Sequence, residues 1–319
     1  MNKPIRRVAF FALIMFALLL GNVTYSVLFR QASLDANAQN RRTRDAEFAQ
    51  DRGAILATGK VPMAETQESN DRFRFQRVYP DDELYAVVTG YYSYDHARTG
   101  LENSYNTELA GTDDSLFVRR LVDLATNTAT KGASVQTTIV PRVQQAATQA
   151  LGNQKGAVVA LDPKTGAVLA MVTSPSYNPN EIASHDIEAA NKAWTRLAKD
   201  KTSPLSNRAA REIYPPGSTF KLVTAAAALE DGMTPESKIA SPDRLKLPNT
   251  QTYLPNSTNC GGSQTTLTNA LRVSCNTAFA NVGLKVGQDK LRDQAQKFGF
   301  NARHLNDLNG VASQFPDDM

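Results

Sequence analysis

Apolar and polar positions are distributed very unevenly along the chain. Lys3, Arg6 and Arg7 precede an apolar stretch from Val8 to Phe29, unbroken as far as Leu20 and then diluted by Gly21, Asn22, Thr24 and Ser26. A membrane-spanning helix needs about 20 predominantly apolar residues, and this stretch reaches that length with its polar half included. The rival reading is a cleaved signal peptide with Ala36-Asn37-Ala38 as the cleavage site, but that site lies well past the apolar core. We read an uncleaved anchor, residues 1–30, with the basic residues placing the N-terminus in the cytoplasm and the body outside. Between residues 31 and 131, short runs such as Leu84-Tyr85-Ala86-Val87-Val88 alternate with polar stretches, and Pro80-Asp81-Asp82 and Thr99-Gly100 mark turns. This predicts a small mixed α/β domain. A charged helical stretch within 112–132 runs into Asn127-Thr128-Ala129-Thr130-Lys131-Gly132, a boundary signal.

From Gly156 the periodicity sharpens. Two β-type runs, 157–161 and 167–172, flank Asp162-Pro163-Lys164-Thr165-Gly166, the pattern of a hairpin. Helical patterns follow at 187–199, 267–286 and 289–298. The expected architecture is α+β: the anchor, an N-terminal domain over 31–152, and a domain over 153–319 with helices packed on an antiparallel sheet.

Charge and composition exclude some functions. The net charge of +4 and pI near 9.0 suggest a nucleic-acid partner, but four of the 35 basic residues fall in the first 30 positions, which hold no acid. The rest carries 31 basic against 31 acidic residues with no long basic run, so nucleic-acid binding is not expected. His96, His185 and His304 are scattered, and no metal cluster is visible. Cys260 and Cys275 are read either as inert buried thiols or, in an exported body, as a disulfide across a short loop.

Candidate chemistry concentrates in Tyr214-Pro215-Pro216-Gly217-Ser218-Thr219-Phe220-Lys221-Leu222-Val223-Thr224, which continues through four alanines to Leu229. The prolines and glycine disfavour helix upstream, so a helix should begin near Ser218. Lys221 is the only charge between Ser218 and Leu229, in a helix otherwise apolar all round and therefore expected to be buried. Spacing i to i+3 puts Ser218 and Lys221 on one face. Desolvation lowers the lysine pKa toward a range where it takes a hydroxyl proton. The helix N-terminus at Ser218 favours a developing oxyanion. An S-x-x-K pair by itself arises by chance on the order of once in such a chain; the proline-glycine entry and the uncharged helix give it weight.

At these residues the chain resembles the penicillin-binding proteins, serine transpeptidases whose motifs are S-x-x-K, S-x-N and K-T-G. Asp51-Arg52-Gly53-Ala54-Ile55 and Gly100-Leu101-Glu102-Asn103-Ser104-Tyr105 resemble the R-G-x-I and G-L-E-x-x-Y motifs of the monofunctional class B branch, and the likeness covers nearly all of 50–319. S-x-N begins at Ser104, Ser176, Ser257 and Ser274. Its position between helical runs singles out Ser274-Cys275-Asn276 as the family's loop opposite the nucleophile. The resemblance implies Ser218 as nucleophile, Lys221 as general base, Ser274 as proton relay and Asn276 as a binder of substrate peptide, with Cys275 at the site's edge. Lys164-Thr165-Gly166 precedes the nucleophile and occupies a hairpin turn, so it is rejected as the third motif. No K-T-G or K-S-G follows Ser274, and Met319 falls mid-domain, so the chain is expected to be truncated there.

The resemblance implies a D,D-transpeptidase acting on peptidoglycan stem peptides and their lipid-linked precursor. Such an enzyme is trapped by β-lactams, sits in the bacterial membrane among other cell-wall synthesis proteins, and needs no cofactor. The alternatives are a β-lactam sensor or hydrolase of the same fold and a non-enzymatic scaffold for cell-wall machinery.

Overall fold

The computed structural model describes residues 3–30, 41–113 and 131–316. Helix α1 (Lys3–Tyr25) continues in helical turns to Arg30, a 28-residue run that contains an 18-residue stretch of mean hydropathy 2.1 with none of it buried. At 1.5 Å per residue its reach of about 42 Å exceeds the ~30 Å hydrocarbon core, so by length and composition it is able to cross a bilayer. The candidate cleavage site at 36–38 and most of the charged stretch within 112–132 lie outside the described residues. Packing divides the chain into two compact units, Met1–Leu205 and Ser206–Met319.

Beyond α1, the first unit contains α2 (Arg41–Phe48), β1 (Ile55–Ala57), β2 (Val61–Glu68), β3 (Phe75–Val78) and β4 (Val135–Gln136). They form a sheet in the order β3-β2-β1-β4, antiparallel except for the β1–β4 pair. A Cβ on Gly53 would lie 1.9 Å from the Ala133 carbonyl oxygen, and one on Gly132 would lie 1.7 Å from that of Leu109. Only glycine allows these backbones to run so close. Glu102 is fully buried and accepts from Arg52 Nε (2.7 Å), Arg77 Nε (2.6 Å) and the Tyr79 hydroxyl (3.3 Å). Arg52 also reaches the Glu102 carbonyl and Asn106, and Arg77 the Gly53 carbonyl. The R-G-x-I and G-L-E motifs thus meet in one buried ion cluster. Burial opposes ionisation of Glu102, but the charges of Arg77 and Arg52 prevail and hold its carboxyl below the usual carboxylate range.

The predicted hairpin is present as β5 (Gly156–Leu161) and β6 (Val168–Ser174), antiparallel throughout. Val143, Ala147 and Leu151 of the helix Pro141–Leu151 pack on Val158, Ala160, Ala170 and Val172. Gln144, fully buried in that helix, bonds both the amide and the carbonyl of Met171 at 2.9 and 2.8 Å, satisfying a strand edge with a side-chain amide. The Ile187–Lys199 helix forms with Asp186 as its cap.

In the second unit the central helix, Lys221–Glu230, packs with Asn276–Val286 and Gln288–Lys297 around Val223, Ala227, Ala228, Phe279, Val282 and Ala295. Two antiparallel ribbons accompany the helices, Lys238–Ala240 with Gln264–Thr266 and Arg244–Lys246 with Tyr253–Pro255. The helical pattern at 267–286 is broken into Leu267–Arg272 and Asn276–Val286, because Ser274 takes a left-handed φ of 57°. The central helix is also not buried all round. Val223, Thr224, Ala225, Ala227 and Ala228 face the core, while Leu222 and Leu229 are about half exposed (55% and 47%). Apolar composition alone does not tell which side of a short helix meets its neighbours.

Candidate active site

Residues 217–220 form a single tight turn before the α-helix begins at Lys221. Gly217 (φ 53°) turns the chain out of Pro215-Pro216 in a conformation that a side chain rarely adopts, and Ser218 follows, exposed. Lys221 Nζ lies 3.3 Å from Ser218 Oγ, so the i to i+3 relationship holds across the turn. The same ammonium reaches Ser274 Oγ (2.8 Å), the Ser274 carbonyl (2.7 Å) and Asn276 Oδ1 (2.7 Å). Ser274 Oγ lies 3.1 Å from Ser218 Oγ, closing a triangle of two hydroxyls and one amine. Burial lowers the Lys221 pKa from the ordinary lysine value, and the Phe279 ring covers the amine at 5.9 Å. All four sequence-predicted residues are therefore within one constellation, though 58 positions separate the first from the last.

Cys275 does not sit at the site's edge. It is fully buried and bonded to Cys260, which is 4% exposed. Ser274 and Asn276 face Lys221 while the residue between them turns into the core.

Residues 156–318, a little more than half of the 319-residue chain, match the penicillin binding protein transpeptidase domain. The chain belongs to the penicillin-binding protein transpeptidase family. Residues 52–135 match the penicillin binding protein A dimerisation domain, the region that holds the Arg52–Glu102–Arg77 cluster. The chain is 45% identical to the peptidoglycan D,D-transpeptidase PbpA of Mycolicibacterium smegmatis over 94% of its own length and 62% of that protein's. It is 31% identical to the peptidoglycan D,D-transpeptidase MrdA of Escherichia coli K12, over 64% of this chain and 31% of that one. The structure of penicillin-binding protein A from M. tuberculosis as an imipenem acyl-enzyme complex superposes with a TM-score of 0.81 at 43% identity, covering 85% of this chain and 64% of that one. The chain thus spans a little under two thirds of the length of the PbpA relatives it matches.

Within this member of the transpeptidase family the other S-x-N triplets do different work. Asn106 accepts from Arg52, Asn178 Oδ1 caps its own helix, and Asn259 Oδ1 holds the Gly261 amide. Lys164 and Thr165 lie in the exposed β5–β6 turn, their amides bonded to Asp162 Oδ1 at 2.7 and 3.3 Å. Sequence reasoning missed the segment from Pro255 to Asn259, which runs along the Ser274–Asn276 loop; its signals were the candidate Cys260–Cys275 bond at its end, which is present, and the Ser257-Thr258-Asn259 triplet, read as a turn. It also missed Arg77 and Tyr79, which complete the Glu102 cluster and belong to no motif.

Proposed function

We propose that this chain carries the nucleophile side of a membrane-anchored peptidoglycan D,D-transpeptidase, acting from the extracytoplasmic face. The carrying observation is the convergence of Ser218 Oγ, Lys221 Nζ, Ser274 Oγ and Asn276 Oδ1 in a connected set whose links are 3.3 Å or shorter. In the neutral form favoured by its burial, Lys221 takes the Ser218 proton as Oγ attacks the penultimate D-alanine carbonyl of a stem peptide. The start of the turn and helix at Ser218 favours the oxyanion. Ser274, in contact with both groups, delivers a proton to the departing D-alanine amine, and Asn276 holds the peptide. An amine from a neighbouring strand then takes the acyl group and frees Ser218. A β-lactam enters the first half of the same path and stays on Ser218.

The names of the D,D-transpeptidase relatives and the acyl-enzyme structure support this reading. We assign 1–30 as anchor with a cytoplasmic tip, 31–152 as a dimerisation or pedestal-like domain and 153–319 as transpeptidase domain, with other cell-wall synthesis proteins as partners. The Cys260–Cys275 bond suits an oxidising compartment outside the membrane. Incubation of the detergent-solubilised chain with benzylpenicillin should yield a covalent mass adduct on the peptide containing Ser218, absent from Ser218→Ala. No adduct on the unmodified chain, or one that persists in Ser218→Ala, would defeat the assignment.

A further inference from the structure

The loop that carries Ser274 and Asn276 is held in an unfavourable conformation. Ser274 has a φ of 57°, and a left-handed residue other than glycine persists only where its surroundings enforce it. The helix that follows starts at Asn276 with Cys275 as its N-cap, and that side chain, committed to Cys260, caps nothing. The first turn of a helix leaves amides in need of acceptors. Here the acceptor comes from elsewhere in the chain. Asn256 Oδ1 accepts the Thr277 amide at 3.0 Å, while Asn256 Nδ2 donates to Thr277 Oγ1 at 2.9 Å and to the Pro242 carbonyl at 3.0 Å.

Asn256 does not act alone. The Pro255 carbonyl accepts from Asn276 Nδ2 at 3.0 Å, Thr258 Oγ1 donates to the Val273 carbonyl at 2.8 Å, and Cys260 holds Cys275. Residues 255–260 therefore run beside 273–277 as a strap, tying down Val273, Cys275, Asn276 and Thr277. The Ser274 side chain is bonded instead to Ser218 and Lys221. Of these contacts, the Asn256 amide makes two, both to Thr277, and it replaces the cap that Cys275 lacks.

We propose that Asn256 is a positioning residue for acyl transfer, capping the Asn276–Val286 helix from outside and so holding Asn276 and Ser274 on Lys221. The proposal rests on the serine acyl-transfer reading above. Without Asn256 the first helical turn frays and Asn276 Oδ1 moves off the 2.7 Å contact with Lys221 Nζ. Displacements of this kind cost about 10- to 100-fold in rate. A second consequence is electrostatic. Among the described residues, Lys221 faces neutral groups: Ser218, Ser274, Asn276 and the Phe279 ring. An acceptor withdrawn from an ammonium destabilises its charged form, so Lys221 loses its proton at lower pH.

The test compares the unmodified chain with Asn256→Ala and Asn256→Asp, each detergent-solubilised, by acylation with a fluorescent penicillin from neutral to alkaline pH and by amide hydrogen exchange. The aspartate keeps an acceptor for the Thr277 amide at a helix N-terminus, where its charge is also favoured. Asn256→Ala should acylate at least about tenfold more slowly, with its rising limb displaced to lower pH and faster exchange confined to 274–278. Asn256→Asp should recover most of the limiting rate. An unchanged rate and limb in Asn256→Ala, a rate loss that follows a global fall in melting temperature, or an aspartate no better than alanine would overturn the proposal. If the unmodified chain is not acylated, the acyl-transfer reading fails by itself, and exchange still decides whether Asn256 caps this loop: no local change at 274–278 sinks it.

Discussion

Glu102→Gln removes one charge at the centre of the buried cluster in the first unit. Glu102 is 0% exposed, and Arg52 and Arg77 are each 4% exposed. The substitution keeps the volume but leaves two desolvated guanidinium groups without a counter-charge, and turns one acceptor oxygen into an NH2 that faces N–H donors. Breaking a buried ion pair by removing one partner costs about 3–5 kcal/mol. For a unit of roughly 200 residues each kcal/mol shifts the transition by about 2–4 °C, so the melting temperature should fall by roughly 6–20 °C. The pH dependence has a definite sign. Because the folded carboxyl is held below the usual carboxylate range, its contribution is fully present above that range and is lost as pH falls through the folded pKa. The difference between the unmodified chain and the Glu102→Gln variant should therefore be largest near neutrality and shrink on acidification. Differential scanning calorimetry of the solubilised chain over a pH series measures both. A shift smaller than about 2 °C at neutral pH, or one that does not shrink in acid, would refute a stabilising role for the cluster.

Lys221→Ala should abolish penicillin acylation of Ser218 with an unchanged circular dichroism spectrum; normal labelling would remove Lys221 as the base. In the unmodified chain, burial lowers the Lys221 pKa, so acylation should rise with pH along a limb that lies below the ordinary lysine value of about 10.4. Lys164→Ala, in the exposed hairpin turn, should leave the acylation rate within about a factor of two, and a larger loss would reopen the rejected K-T-G. Cys260→Ser should cost about 3 kcal/mol, as expected for cross-linking a loop of this length, read as a lower urea midpoint. An unchanged midpoint would mean that the hydrogen bonds of the strap hold the loop without the disulfide.

The parts of this protein that follow from local covalent geometry were legible in its sequence. Twenty-odd apolar residues behind a basic tip specify a helix able to span a bilayer wherever they occur. Two β-type runs around Asp162-Pro163 specify a hairpin, since residues a few positions apart are forced into register by the turn. Ser218 and Lys221 belong to this class too, because three positions along one turn bring two side chains together without help from the rest of the chain. The ordering of motifs then led from Ser218 to Ser274 and Asn276 and away from Lys164.

Tertiary structure decided everything that depends on which surfaces meet. Composition marked the central helix as apolar all round, yet packing left Leu222 and Leu229 exposed. Sequence position singled out one of four S-x-N triplets, but only packing brings its serine and asparagine within 2.8 Å of a partly buried amine. Periodicity ran straight through Ser274, where the chain instead breaks a helix to aim two side chains at Lys221 and bury the cysteine between them. Arg77 and Asn256 carried no signal at all. The energy of each comes from polar groups brought close in three dimensions and shielded from water, and such contacts leave no period in the order of residues.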